Sequence, residues 1–266
     1  MLHTSIAPEP DYLIPEWPAP VHVRSLCTTR VGGASAGPYA SLNMGTHVGD
    51  VPEAVEFNRA RLGRSLGAKP VFLNQVHGTH MLALRPDSQD GQAADGAFTG
   101  ERALACTVMV ADCLPILLCD TQGRMVVAAH AGWRGLAGVD GLGVVEQIVK
   151  PFRLLAAVDS AQPAIEIIAW LGPCIGPSSF EVGDEVRAAF VAHTAQAVDA
   201  FKPVAQGKWL ADLATLARTR LHAQGVTQVY GNDSSAPWCT VGNPSRFFSY
   251  RRDGVSGRMA ACIWLD

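Results

Sequence analysis

Hydrophobic positions along this chain come mostly in short unbroken runs, a pattern that predicts strands packed on both faces. The runs occupy residues 21–29 (VHVRSLCTT), 71–77 (VFLNQVH), 103–112 (ALACTVMVAD), 114–120 (LPILLCD), 124–130 (RMVVAAH), 165–171 (IEIIAWL), 226–230 (VTQVY) and 258–265 (RMAACIWL). Their length and β-branched content suit strands of a sheet covered on both sides. Between them, apolar positions three and four apart predict helices over 52–66, 136–155, 184–193 and 210–224, with Gly67 and Gly225 as stops for the first and last. Polar, Gly-rich stretches at 86–100 and 231–246 read as loops.

Several strands follow one another between residues 70 and 130, which favours layers of sheet over a doubly wound parallel fold. The expected fold class is therefore α/β: a single domain, residues 1–266, of mixed β-sheets packed together with outer helices. No repeat, low-complexity tract or shift of composition divides the chain.

Composition narrows the function classes. The 266 residues are 48% hydrophobic and 17% charged, with a formal net charge of -3. No run of Lys or Arg is present, so neither nucleic acid nor an anionic membrane is an expected partner. The longest apolar stretch, 103–119, is interrupted by Asp112 and Pro115 and is too short to span a bilayer. An odd count of seven scattered cysteines does not resemble a disulfide framework. With an N-terminus that lacks the basic start and apolar core of a signal peptide, the expected location is cytoplasmic. A chain of this size can bury its core as a monomer, the expected state.

Three segments concentrate chemistry: Asn74–Gly78 (NQVHG), Ala111–Pro115 (ADCLP) and Ala129–Gly135 (AHAGWRG). Each puts a His or Cys at or just beyond the end of a predicted strand. His77, Cys113 and His130 could serve as three protein ligands of a catalytic zinc, leaving a fourth position open. The same residues could instead form a Cys113 nucleophile with a histidine base. Glycines around Trp133-Arg134 form a turn into a helix where an anion could meet backbone N–H groups, with Arg134 adding bidentate hydrogen bonds. An ordinary tight turn explains the glycines equally well. In Phe247–Gly254 (FFSYRRDG) the plain reading is a hairpin turning at Asp253-Gly254, and the functional one is base stacking on its aromatic residues.

Taken in order, these segments resemble the laccase-domain, or polyphenol oxidase-like, family, whose bacterial members include YfiH and YlmD and the peptidoglycan-editing factors. The likeness also runs through Thr28–Gly33 (TTRVGG), Ser41–Asp50 (SLNMGTHVGD), Ala94–Gly96 (ADG) and Gly172–Gly176 (GPCIG). It implies a YfiH-like fold and a zinc-capable site at His77, Cys113 and His130, with copper as an alternative metal. It further implies a purine nucleoside phosphorylase acting on adenosine, inosine and methylthioadenosine, with adenosine deaminase activity. Purine nucleoside and phosphate would then be the partners. Under this reading Arg134 is the first candidate for holding phosphate, Arg30 and Arg59 stand in reserve, and Asn43 joins them as a substrate-binding candidate. Asp112 or another acid would move the proton in deamination. Two alternatives attach to the family: a Cys-dependent amidase that removes misincorporated serine from a peptidoglycan precursor, and a copper-dependent polyphenol oxidase. A multicopper relay needs many histidines, whereas this chain has eight, few of them clustered.

Overall fold

The computed structural model describes residues 9–158 and 165–266; the first eight residues, part of the segment read as lacking a signal peptide, lie outside it. In chain order its strands are β1 (Tyr12–Leu13), β2 (Val23–Thr28), β3 (Lys69–Phe72), β4 (Met81–Ala83), β5 (Gly96–Thr99), β6 (Leu104–Val110) and β7 (Leu114–Asp120). There follow β8 (Val126–Ala131), β9 (Ile167–Leu171), β10 (Glu181–Gly183), β11 (Phe201–Ala205), β12 (Lys208–Ala211), β13 (Gln228–Gly231) and β14 (Met259–Leu265). The helices are α1 (Pro52–Leu66), α2 (Trp133–Ala137), α3 (Val144–Val158), α4 (Asp184–Val191), α5 (Leu213–Ala223) and α6 (Tyr250–Asp253).

The continuous apolar runs do become doubly covered strands: every residue of β6, β7, β8 and β14 is buried. One mixed sheet has the order β1-β2-β14-β6-β3 and a second has β13-β9-β7-β8-β5-β4, while β10-β12-β11 form a small antiparallel sheet. Alternation along each strand sends side chains to two different cores. From the six-stranded sheet, Leu117, Cys119, Val126, Ala128, Ile168 and Trp170 meet Cys106, Val108, Ala261 and Ile263 of the five-stranded sheet. On its other side, Ile116, Leu118, Val127 and Ala129 pack on α3 and α5 through Ile148, Phe152, Leu216 and Ala217. The outer face of the five-stranded sheet is covered by α1 through Leu62 and Leu66. Four layers result, helix, sheet, sheet, helix, which is the α/β class of mixed sheets with outer helices.

Three differences from the sequence reading bear on the site. Strand β5 (Gly96–Thr99) lies inside the stretch 86–100 read as a loop, because it pairs with β4 and β8. The helix expected over 136–155 is broken into α2 and α3, because Gly138 and Asp140 adopt positive φ and Val139 pairs with Leu142 in a tight turn. The hairpin expected at Phe247–Gly254 is instead the single helical turn α6. Ser249 caps it by accepting from Arg252 N at 3.2 Å, and Asp112 accepts from Arg251 N at 2.6 Å. Phe247 and Phe248 are fully buried beneath that turn, so they offer no face for a base. None of the seven cysteines is disulfide-bonded, and no helix among the described residues is long and apolar enough to cross a membrane.

Candidate active site

Strand register creates the site. β7 and β8 run antiparallel with Leu114 opposite Ala131, so Cys113, just before β7, and His130, near the end of β8, fall at the same edge of the sheet. β5 pairs with β8 with Gly96 opposite Ala129, which places Asp95 beside His130. Asp95 then gathers the third segment: its carboxylate accepts from the backbone N–H groups of Val76 (3.3 Å), His77 (2.8 Å) and Gly78 (2.6 Å). Those bonds hold His77 at φ 59°, a left-handed conformation costly for a side chain of this size. Asp112, at φ 92°, aims the neighbouring Cys113.

The ligand atoms of His77, Cys113 and His130 come within 4.8 Å of one another, with Cys113 Sγ 4.0 Å from His77 Nε2. The two imidazoles stand edge to face with centroids 4.8 Å apart. His130 Nδ1 lies 2.9 Å from Asp95 Oδ1, a contact that places the ring proton on Nδ1 and leaves Nε2 turned toward Cys113. Burial alone would disfavour the thiolate, but the two imidazoles overcome it and bring the Cys113 thiol down to about 6. Burial likewise disfavours a charged His130, yet the thiolate and Asp95 together raise it to about 9. Two imidazoles, an ionised thiol and a carboxylate behind one of them form a donor set that suits zinc, and equally copper. Among the described residues this is the one such group.

Glycine at position 132 is a spatial requirement. Its φ of -67° suits any residue, but a Cβ there would lie 3.0 Å from His77 Cδ2 and 3.1 Å from Cys113 Sγ. Gly135 similarly lets the carbonyl of Gly78 approach α2. Gly132 thus packs against the donors themselves, and Gly135 against the segment that carries His77. We expect Gly132→Ala to lower bound metal and activity about 10- to 100-fold while leaving the melting temperature near wild type. Metal analysis of the purified variant checks this, and wild-type metal content would overturn it.

Beside the donors opens a cavity of about 460 Å³. Trp133, Ile175, Phe180 and Leu213 line one wall and belong to one apolar cluster. His47, Tyr250, Arg251 and Arg258 also line it. The four residues expected to bind substrate are absent from this lining. Arg134 is exposed and lies over the Trp133 ring at 4.4 Å. Arg30 donates to the carbonyls of Ala40 and Pro244, and Arg59 donates to Met44 O and pairs with Asp90. Asn43 is fully buried; its Oδ1 accepts from Gly45 N and Arg258 N, both at 2.8 Å. Asp112 also lines the cavity, and its oxygens accept from Thr240 Oγ1 (2.5 Å) and Arg251 N, which ties it to α6. Sequence reasoning missed Asp95, His47 and Arg258 as site residues. The available signal was the ADG segment: an acidic residue among small ones at the start of a strand, beside a histidine that needs an orienting partner.

Comparison with known proteins places the chain. Residues 24–266 match the family described as multi-copper polyphenol oxidoreductase laccase. A purine nucleoside phosphorylase of Pseudomonas aeruginosa is 48% identical over 257 residues, covering 96% of this chain and 98% of that protein. The purine nucleoside phosphorylase YfiH of Escherichia coli is 47% identical over 95% of this chain and 98% of its own length. Among solved structures, a DUF152 protein of Neisseria meningitidis superposes with a TM-score of 0.86 at 45% identity, covering 96% of this chain and 99% of that one. YlmD from Geobacillus stearothermophilus superposes with a TM-score of 0.79 at 31% identity, covering 92% of each. With the register-built Cys-His site and the four-layer fold, these matches establish that the chain belongs to the multi-copper polyphenol oxidoreductase laccase family of YfiH-like and YlmD-like proteins.

Proposed function

We propose that this protein is a purine nucleoside phosphorylase acting on adenosine, inosine and methylthioadenosine, with adenosine deaminase activity at the same zinc-capable site. The observation that carries the reading is the cavity itself, which sets an apolar, partly aromatic wall and a cationic group beside His77, Cys113 and His130. The names of the Pseudomonas and Escherichia relatives support it. A flat, largely apolar purine suits the wall of Trp133, Ile175, Phe180 and Leu213. In phosphorolysis a phosphate oxygen bonds to C1′ of the ribose as the C1′–N bond breaks. The bonding pair leaves with the base, which takes up the proton that the phosphate releases. A zinc held by the three donors would supply a Lewis acid with an open coordination position. Asp95 orients the His130 ring, and the apolar wall keeps water from the base.

Among the described residues a single three-donor group is found, which supports the phosphorylase over a multicopper oxidase relay, since that requires several ions in communication. The test incubates metal-analysed protein with adenosine, with and without phosphate, and identifies the products. Adenine and ribose 1-phosphate should form only with phosphate, while inosine should form without it. No phosphate-dependent release of base would overturn the phosphorylase reading, and no inosine would overturn the deaminase.

A further inference from the structure

Two arginines line the cavity with no carboxylate within 4.0 Å among the described residues: Arg251, exposed and donating to Glu181 O, and Arg258, which stands over the Tyr250 ring at 5.8 Å. Arg258 is half-buried, and its Nη1 donates to the carbonyls of Ser256 (2.8 Å) and Gly257 (3.0 Å). Its Nε and Nη2 have no hydrogen-bond partner, and no carboxylate lies within 4.0 Å, among the described residues. Neighbouring arginines are otherwise engaged: Arg30 and Arg59 hold loop carbonyls, and Arg252 donates to Thr240, Val241 and Phe247 and pairs with Asp253. Those free N–H groups face the cavity, where an oxyanion would complete their hydrogen bonding.

The backbone beneath Arg258 is fixed on both sides. Asn43 Oδ1 accepts from Arg258 N, and Arg258 O accepts from Met44 N at 3.0 Å. Gly45 lies directly against the side-chain stem, since a Cβ there would be 2.8 Å from Arg258 Cγ. Asn43 is in turn held by donating to Asp50 Oδ2 at 2.9 Å. The segment 43–47 therefore aims the guanidinium and also delivers His47, which lines the same cavity. Burial, followed by the charges of Arg258 and Arg59, lowers the pKa of His47, consistent with a locally positive wall.

From this geometry we infer that Arg258, with His47 beside it, forms the phosphate subsite of the cavity, and that Asn43 and Gly45 position it. The inference rests on the phosphorolysis reading for the role of the bound anion. Its chemistry is that of any phosphate-class oxyanion: a planar guanidinium presents two parallel N–H donors to two oxygens, and an imidazole can add a third. The subsite replaces Arg134, whose guanidinium sits outside the cavity lining.

Two measurements test it. Initial rates with inosine at varied phosphate should show the KM for phosphate rising about 10- to 100-fold in Arg258→Gln, with the KM for inosine changed less than about twofold. Arg134→Gln should leave both constants as in wild type. Gly45→Ala keeps the guanidinium but displaces its stem, so it should raise the phosphate KM in the same direction; it carries the test should Arg258→Gln fail to fold. Binding of inorganic phosphate alone, followed by calorimetric titration, reads the subsite without turnover. If wild-type protein binds phosphate and Arg258→Gln or Gly45→Ala weakens that binding, the subsite stands even where no base is released, and only the phosphorylase reading falls. Phosphate constants equal to wild type in a folded Arg258→Gln, or in both measurements with Gly45→Ala, would overturn the subsite.

Discussion

Alanine at His77, Cys113 or His130 is expected to lower turnover of adenosine and inosine on the order of 10³-fold or more, since each removes one of the three convergent donors. His77 is exposed and Cys113 is half-buried, so these two variants should melt close to wild type and the loss can be assigned to chemistry. Bound zinc, measured on the purified proteins, should fall with activity. The thiol supplies a separate readout. Held down to about 6 by the two imidazoles, Cys113 in metal-free protein should become reactive toward iodoacetamide as pH rises through that value. An ordinary thiol does so only near pH ~8.5. His130→Ala removes the larger of its two imidazole partners, so the midpoint should move upward. Normal turnover in all three alanine variants would sink the assignment of the site. Full activity after chelation, together with a covalent adduct at Cys113, would instead make the cysteine a nucleophile and favour the amidase reading.

The parts of this fold that were legible in the sequence are those set by local pattern. β7 spans the apolar run 114–120 in full, and α1 begins at Pro52 and ends before Gly67. His77, Cys113 and His130 stood out because each lies at or just beyond a strand-like segment; β7 and β8 bring Cys113 and His130 to one sheet edge, and Asp95 draws in the His77 segment that follows β3 of the other sheet. Less legible are the residues whose surroundings depend on distant partners. No pattern in the sequence distinguishes Arg59, which reaches Met44 and Asp90, from Arg258, which retains free donors; the difference lies in which carbonyls and carboxylates the fold brings within reach. The glycines flanking Trp133-Arg134 are a similar case. Their spacing fits an anion-binding turn, yet Gly132 and Gly135 are small because His77, Cys113 and Gly78 press against them from another segment. Asn43 falls between the two cases: it is absent from the cavity lining but lies one hydrogen bond behind Arg258, which lines it.

Asp95→Ala is expected to cost the most stability of any single change near the site, about 3–5 kcal/mol, together with loss of activity. Its carboxylate is fully buried and receives His130 Nδ1 and three consecutive backbone N–H groups. Removing it strands those donors, releases His77 from its left-handed conformation and frees the His130 ring to rotate. Asp95→Asn is the more discriminating change, because the amide keeps the volume and one acceptor oxygen while its NH₂ faces N–H donors. That variant should fold with a lower melting temperature, bind zinc about 10- to 100-fold more weakly and lose turnover in proportion. Acid adds a second test. Burial works against the charged form of Asp95, but the hydrogen bonds from His130, Gly78 and His77 prevail and hold its pKa below the ordinary carboxylate value. A depressed pKa contributes stability that is present above the unfolded-state value of about 4 and is lost as pH falls through the folded-state value. Wild-type protein should therefore lose stability more steeply than Asp95→Asn on acidification below pH ~4, so that the two unfolding curves converge. Parallel curves, or an Asn variant with wild-type zinc affinity, would show that this carboxylate neither anchors the loop nor orients the histidine.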